Sequence, residues 1–253
     1  MTFDIIVSAS TLQDYVDSMT SIVDETTLHF REEELWTNAV DPANVAMIAQ
    51  TLHADACESY SADGVKIGVN LSRLDDYLNR ADSDDLVHLT FDEEKRKINI
   101  EYGDVFVTMA GIDPDSIRNG QTLPKNAIDM MSTDVTMDGA AFNHAIDVAG
   151  MVSDHILLES DPDRDEPLHV VGEGDTDDAR IRFSSALHGG SEVPDGCKSL
   201  FSEEYLDDLT GVIPKTADVR LQHGGECPLR ITYEYPDANV DVEIGLAPRI
   251  QSK

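Results

Sequence analysis

The sequence is poor in basic residues. Its 253 residues include 18 Lys and Arg against 50 Asp and Glu, which gives a formal net charge of −32 at pH 7. The acids are spread along the chain rather than held in one tail. Such a composition is found in proteins that bind cations or basic partners, and in proteins whose hydrated acidic surface keeps them soluble in molar salt. The even spread favours the second class, and we expect a salt-rich cytoplasm.

Cysteines and long apolar runs are also scarce. The three cysteines, Cys57, Cys197 and Cys227, are widely separated and odd in number. This pattern indicates a reducing compartment and argues against a disulfide or zinc framework. There is no apolar run of 18 residues and no basic stretch followed by an apolar core, so we predict neither a membrane span nor a signal peptide.

Motifs of catalysis and cofactor binding are missing. Neither G-x-G-x-x-G nor G-x-x-x-x-G-K-[ST] occurs, and the eight histidines show no recognisable ligand spacing. Asp175, Asp177 and Asp178 resemble a cation loop but lack the bidentate Glu that should follow. We therefore predict a protein that is not an enzyme, with no cofactor and no metal. A hydrolase that uses this Asp cluster with a divalent metal remains an alternative.

An irregular segment divides the chain. Residues 112–131 hold two prolines and a glycine and show no sustained period, which is typical of a long connector. A loop of this length is usually functional or a linker. We therefore predict an N-terminal domain at residues 1–111, an interdomain connector at 112–131 and a C-terminal domain at 132–253.

The sequences before and after this connector follow one plan. Residues 21–30 align with 150–159 at an offset of 129, which places Leu28 on Leu157. Residues 86–91, 98–102 and 105–107 align further on at offsets of 132, 131 and 135. In the first half, Ser10 opens a pattern typical of a capping box, and apolar residues follow at helical spacing. We predict two similar α+β halves, each with many strands and two helices.

Five motifs, in this order and spacing, point to a known family. They are VDPANVAM (40–47), GVNLSRL (68–74), EGDTDD (173–178), SLFSEEYL (199–206) and LAPRI (246–250). Together they resemble the proliferating cell nuclear antigen family, in particular the DNA polymerase sliding clamps of haloarchaea. The resemblance runs from the first strand to Gln251. It implies two processivity-fold domains that assemble into a pseudo-sixfold toroidal homotrimer around double-stranded DNA.

The resemblance also implies a set of partners. Such clamps are placed on DNA by a clamp loader, and they tether DNA polymerase, flap endonuclease and DNA ligase through short peptide motifs. The peptide docks under the connector, in an apolar groove beside an edge that its backbone extends. Positions here that match this groove are Val40, Asn44, Val45, Met47, Leu123, Pro124, Ile128, Pro228, Leu246, Ala247, Pro248, Arg249 and Ile250.

Two further sets of positions follow from the same resemblance. Subunits of the ring join through edge strands, here 105–112 of one chain and 179–184 of the next, with Val105, Val107, Ile112, Ala179, Ile181 and Phe183 at the seam. The helices line the hole, and the basic residues expected to face DNA are Arg73, Arg80, His144, Lys198 and Lys215. This lining is thinly basic for the family.

Other functions remain open at this point. The chain is alternatively a specialised or virus-encoded clamp paralogue, or one subunit of a heteromeric ring. A more distant alternative is an acidic protein that mimics DNA and occupies basic surfaces. That protein would concentrate its charge on one face and would need no LAPRI-like tail.

Overall fold

The computed structural model describes residues 2–118, 120–183, 187–236 and 238–249. The chain forms two compact units. The first contains Met1–Gln121 and Asp237–Val242, and the second contains Thr122–Pro236 and Glu243–Lys253. The division between Gln121 and Thr122 falls inside the 112–131 segment, so each unit takes part of it.

The first unit contains two helices and two sheets. Their elements are β1 (Phe3–Ser8), α1 (Ala9–Thr20), β2 (Glu25–Phe30), β3 (Glu34–Val40), β4 (Ala46–His53), β5 (Ser59–Ala62), β6 (Val65–Asn70), α2 (Leu71–Leu78), β7 (Leu86–Asp92), β8 (Lys97–Tyr102) and β9 (Val105–Ala110), with short 3-10 turns at Ala54–Ala56 and Pro114–Ser116. One sheet has the order β5-β1-β7-β8-β9, and the other has the order β4-β3-β2-β6.

The second unit repeats this arrangement. Its elements are α3 (Lys125–Ile128), β10 (Thr133–Asp138), α4 (Gly139–Gly150), β11 (His155–Ser160), β12 (Leu168–Glu173), β13 (Asp178–Phe183), β14 (Cys197–Ser202), α5 (Glu203–Gly211), β15 (Asp218–His223), β16 (Leu229–Glu234) and β17 (Val240–Leu246), whose residues from Glu243 belong to this unit. The sheet orders are β10-β15-β16-β17 and β13-β12-β11-β14.

Apart from β5, the sheet orders of the two units match strand for strand, so the predicted internal repeat is confirmed. In each unit one long helix follows the first strand and the other precedes the last three strands. The two helices pack against each other. The place of β5 is taken in the second unit by isolated bridges from Leu187 and Glu192 to β10. Fully buried apolar side chains such as Phe3, Met19, Phe142 and Phe201 fill the cores.

The alignment of the halves needs one correction. Thr26, Leu28 and Phe30 are the buried positions of β2, and Ile156, Leu158 and Ser160 are buried in β11. Leu28 therefore corresponds to Leu158, at an offset of 130, and the prediction that placed it on Leu157 was wrong. In a strand a one-residue shift moves every side chain to the opposite face.

The first helix also begins earlier than predicted. Ser8 is its N-cap, with an extended backbone and a side-chain oxygen that accepts from the Thr11 backbone N–H at 3.2 Å. Ser10 lies inside the helix, so the capping box predicted there was wrong. The apolar spacing was interpreted correctly, because Leu12, Tyr15, Val16 and Met19 are all buried.

The connector is more ordered than its composition indicates. Its residues form the 3-10 turn Pro114–Ser116 and the single helical turn α3. The backbone of Ile112 exchanges hydrogen bonds with that of Gly68, at 3.1 Å and 2.7 Å. None of the helices that the structure describes is long and apolar enough to cross a membrane.

Candidate functional site

The turn between β3 and β4 is held by a buried carboxylate. Asp41 accepts hydrogen bonds from the backbone N–H groups of Ala43 at 2.8 Å, Val45 at 2.6 Å and Ala46 at 2.7 Å. Asn44 adopts a positive φ of 60°, a conformation that Asn tolerates better than most residues. The turn thus sets the backbone that carries Asn44 and Val45 between the buried Val40 and Met47.

Arg118 joins the connector to this turn. Its Nη1 donates to the carbonyl oxygens of Asp41 and Pro42, both at 3.1 Å, and its Nη2 donates to the side-chain oxygen of Asn44. Two residues further on, a Cβ at Gly120 would lie 2.4 Å from the carbonyl oxygen of Asn38 on β3, so this close approach requires glycine. Sequence reasoning missed Asp41, Arg118 and Gly120, although Asp41 lies within the VDPANVAM motif.

A cleft opens beside the turn in the first unit. It has a volume of about 740 Å³, and Val40 and Pro42 are part of its lining. Ile22 and Val23, which follow α1, and Ile117 and Arg118 of the connector form other parts of its lining. The cleft is therefore apolar in part and lies where the motif and the connector meet within this unit.

The remaining positions expected at the groove belong to the second unit. Leu123 is half-buried before α3, Ile128 is half-buried as the last residue of α3, and Pro124 is the exposed N-cap residue of α3. Pro228 is half-buried before β16. In the tail, Leu246 is buried, Ala247 and Pro248 are half-buried, and the exposed Arg249 donates its backbone N–H to the carbonyl oxygen of Leu200 at 2.7 Å. Ile250 lies outside the described residues.

The helix pair of the first unit presents acids. Asp14 and Asp17 are exposed on α1, and Asp75 lies beside them on α2. Burial, a hydrogen bond with Asp75 and the charges of Asp75 and Asp14 raise the pKa of Asp17 to about 6. Arg73 is exposed on α2 and donates from Nη2 to the Tyr77 hydroxyl at 3.2 Å. Arg80 was predicted on this helix but lies beyond its last residue, Leu78.

The helix pair of the second unit is similar. His144 is exposed on α4, and Lys215 is exposed in the loop after α5. On α5, burial and the neighbouring charges of Asp207 and Glu204 raise the pKa of Asp208. Carboxylates thus crowd both helix pairs.

Lys198 must be removed from the DNA-facing set. A Cβ at Gly172 would lie 2.3 Å from Ala149 of α4, so this side of β12 faces the helix. Gly172 pairs with Ile156 of β11, so Ile156 is on the same side of the sheet. Side chains alternate along a strand, and Glu159 is three residues after Ile156, so Glu159 points to the opposite face. Lys198 pairs with Glu159, and its Nζ lies 2.7 Å from the Glu159 Oε1. Lys198 therefore lies on the sheet face opposite α4.

Glu159 is the centre of an ion cluster on that face. Arg180 Nη1 lies 2.7 Å and Arg164 Nη1 3.4 Å from its carboxylate, and both guanidiniums donate to the buried His169 Nδ1. Burial alone would raise the pKa of Glu159, but hydrogen bonds from Lys198 and Arg180 outweigh it and lower the pKa to about 2. Glu159 is therefore ionised at neutral pH.

The predicted seam strands are edge strands of their sheets. β9 closes one order in the first unit and β13 opens one in the second. Val105 and Phe106 of β9 are 39% and 63% exposed. Ala179 and Ile181 of β13 are half-buried, whereas Phe183 is buried within its own unit. Ile112 is removed from the predicted seam residues. β9 ends at Ala110, and the backbone N–H and carbonyl groups of Ile112 both bond to Gly68.

Comparison with known proteins defines the class to which this fold and these surfaces belong. Residues 3–105 match the family model of the proliferating cell nuclear antigen N-terminal domain. Over 250 residues the chain is 44% identical to the DNA polymerase sliding clamp of Natronomonas pharaonis, covering 99% of both chains. Over 251 residues it is 43% identical to that of Haloarcula marismortui, covering 99% of this chain and all of the relative. The chain belongs to the proliferating cell nuclear antigen family, the DNA polymerase sliding clamps.

Solved structures agree. A structure described as the C-terminal region of FEN-1 bound to A. fulgidus PCNA matches with a TM-score of 0.89 and 30% identity, covering 99% of this chain and 100% of that one. PCNA of Thermococcus kodakaraensis matches with a TM-score of 0.85, covering 98% and 100%, and at 23% identity it supports the fold alone. The predicted α+β clamp fold and the family resemblance are confirmed.

Proposed function

We propose that this chain is the processivity clamp of a salt-rich archaeal cytoplasm, a non-catalytic homotrimeric ring that encircles duplex DNA. The observation that carries the proposal is the near-complete match in sequence and fold to sliding clamps. The two matching units of one chain supply two domains, and three chains supply the six of a pseudo-sixfold ring. The domain plan of 1–111, 112–131 and 132–253 belongs to this proposal.

Partner peptides dock beside the Asp41 turn. A clamp relative is described as bound to the C-terminal region of FEN-1, which supports a peptide-binding surface in this family. The resemblance to clamps assigns this surface to apolar residues of the motif, the connector and the tail, and Arg118 fixes the turn within the first unit. The proposed partners are DNA polymerase, flap endonuclease and ligase, and a clamp loader places the ring on DNA.

The ring holds DNA by its closed shape. The helix pairs carry more acids than bases, so they attract phosphates poorly. In 1 M salt the Debye length is about 3 Å, and phosphate contacts gain little from releasing counterions. Arg73, Arg80, His144 and Lys215 are the remaining positive or titratable groups proposed to face DNA.

Molar mass tests the ring. Light scattering in about 2 M KCl should give a mass near three times the 27.8 kDa of one chain. Clamp loaded by its loader onto closed circular DNA should be retained on a sizing column and should be released when the circle is cut. A monomer at high salt, or equal retention on linear DNA, would contradict encirclement.

A further inference from the structure

We propose that Asp138, His188 and Asp218 of the second unit form a binding site for a divalent transition-metal ion, with Zn²⁺ as the type ion. Each residue offers one ligand atom, and the three atoms lie within 4.8 Å of one another. None of the three residues belongs to the proposed peptide-docking set or to the proposed seam strands, and the proposed clamp function does not require the site.

The backbone fixes all three positions. Asp138 ends β10 and Asp218 begins β15, and the two are directly opposite in the antiparallel ladder. His188 is tied to the other edge of β10, because its backbone N–H donates to the Thr136 carbonyl oxygen at 2.7 Å. Like charges that face each other across a ladder destabilise the sheet. A cation between the two carboxylates would remove this repulsion.

His188 faces both carboxylates, each through a different ring nitrogen, at distances longer than ordinary hydrogen bonds. His188 Nε2 lies 3.5 Å from Asp138 Oδ1, and His188 Nδ1 lies 3.5 Å from Asp218 Oδ1. Elsewhere the chain has ordinary His–Asp hydrogen bonds, with His88 2.8 Å from Asp4 and His53 2.9 Å from Asp241. Metal–ligand bonds of about 2.0–2.2 Å place the ligands of a tetrahedral ion about 3.4 Å apart. The three ligand atoms lie within 4.8 Å of one another, so rotation of the imidazole and of the exposed carboxylates would bring them to this spacing around one ion.

The internal repeat shows that the fold itself does not require these residues. In the first unit Ser8 and Leu86 occupy the places of Asp138 and Asp218, and they are likewise opposite in the ladder. Ser8 caps α1 with its side chain. Asp138 is the N-cap residue of α4, yet its side chain makes no capping bond among the residues that the structure describes. Its carboxylate is turned toward His188 instead.

The donor set indicates the class of ion. One imidazole nitrogen with two carboxylate oxygens suits Zn²⁺ and similar ions, whereas Mg²⁺ and Ca²⁺ prefer oxygen ligands throughout. Three protein ligands leave a fourth position for water. The side chains of Asp138 and Asp218 are 61% and 63% exposed, so an ion reaches them directly from solvent. The bound ion would pin the segment at His188 to β10 and β15.

Equilibrium dialysis against Zn²⁺ in 2 M KCl tests the site in the full chain. Because the surface carries many weak carboxylate sites, the measured quantity is the tightest class of binding. We expect one such ion per chain, with its affinity reduced at least about tenfold in His188→Gln. The matched control is His88→Gln, which alters an exposed His–Asp pair with one carboxylate and should leave the affinity unchanged.

A second variant separates binding from folding. Asp138→Ser restores the cap found in the first unit, so the metal-free protein should melt at the same or a higher temperature while the rise in Tm with added Zn²⁺ is lost. Unchanged Zn²⁺ affinity in His188→Gln, an equal loss in His88→Gln, or equally tight binding of Mg²⁺ would each overturn the proposal.

Discussion

The Arg118 guanidinium lies on the carbonyl oxygen of Asp41, with Nη1 donating at 3.1 Å, while the Asp41 carboxylate accepts from the backbone of the same turn. The turn is thus stabilised twice: Arg118 of the connector binds its carbonyl oxygens, and the Asp41 carboxylate binds its N–H groups. This contact makes the connector part of the structure that presents Asn44 and Val45.

Arg118→Ala should weaken the binding of a partner peptide. The substitution removes the donors to Asp41, Pro42 and Asn44 and frees the connector from the turn, and we expect about a tenfold loss of affinity, near 1.4 kcal/mol. Fluorescence anisotropy of a labelled peptide in high salt measures it. The control is Arg96→Ala, an exposed arginine that contacts Asp113 at the other end of the connector. Equal affinity in wild type and Arg118→Ala would place docking elsewhere.

Phe106→Asp should dissociate the ring. Phe106 is 63% exposed on β9, and a charge there would be buried without a partner if this strand meets a second chain. Light scattering at 2 M KCl should then report monomers. The circular dichroism spectrum should be unchanged, which would show that the chain is still folded. Leu86→Asp is matched, because Leu86 is 50% exposed on β7, a strand flanked by β1 and β8. A trimer that survives Phe106→Asp would rule out this seam.

Asp17→Asn should stabilise the protein above pH 6 and leave it unchanged near pH 4. Because the pKa of Asp17 is raised to about 6, its stabilising contribution is complete below the unfolded pKa of 3.8 and is lost as pH rises through 6. The neutral amide removes this loss. Since the residue is partly exposed, we expect a gain of about 0.5 kcal/mol at pH 7.5.

Urea unfolding at several pH values measures this difference. Asp76→Asn, an exposed acid on α2, serves as the comparison. A gain that is the same at pH 4 and pH 7.5 would show that Asp17 does not titrate in this range.

Glu159→Gln should destabilise the protein at neutral pH. The buried carboxylate accepts from Lys198 and Arg180 at 2.7 Å each, and its loss leaves those cations facing one another, which we expect to cost about 2 kcal/mol. The pKa of Glu159 is lowered to about 2, so its contribution is present above about 4.5 and disappears as pH falls toward 2.

The difference between wild type and Glu159→Gln should therefore shrink steadily in acid. Urea titrations between pH 2.5 and 7 follow it, with the exposed Glu173→Gln on β12 as the control. A constant difference over this range would mean that the cluster does not depend on the ionised carboxylate.

The sequence predicted what depends on period and order. The buried residues of α1 follow helical spacing, and the strands of both halves show enough alternation to reveal the repeat. The exact start of a helix was harder to predict. Both Ser8 and Ser10 can cap a helix, and only the position of β1 decides between them. The pattern of β14 is weaker, because Cys197–Ser202 carries polar residues on both faces of the strand.

For the candidate docking site, the sequence motifs predicted the location but not the contacts that hold it. The VDPANVAM motif located the turn that the Asp41 carboxylate holds, but the role of Arg118 depends on a contact across 77 residues of sequence. Lys198 was misplaced for a similar reason: its position near α5 in the sequence says nothing about the sheet face on which it lies. That face follows from its pairing with Glu159.

The acidic helix pairs have a consequence for motion. In the proposed ring, DNA and the wall around it repel each other, so a layer of water and potassium ions separates them. A surface with few phosphate contacts has little registry with the duplex, and displacement by one base pair breaks few contacts. The friction of such a clamp along DNA is then set by the viscosity of this layer, and travel is equally easy over every sequence.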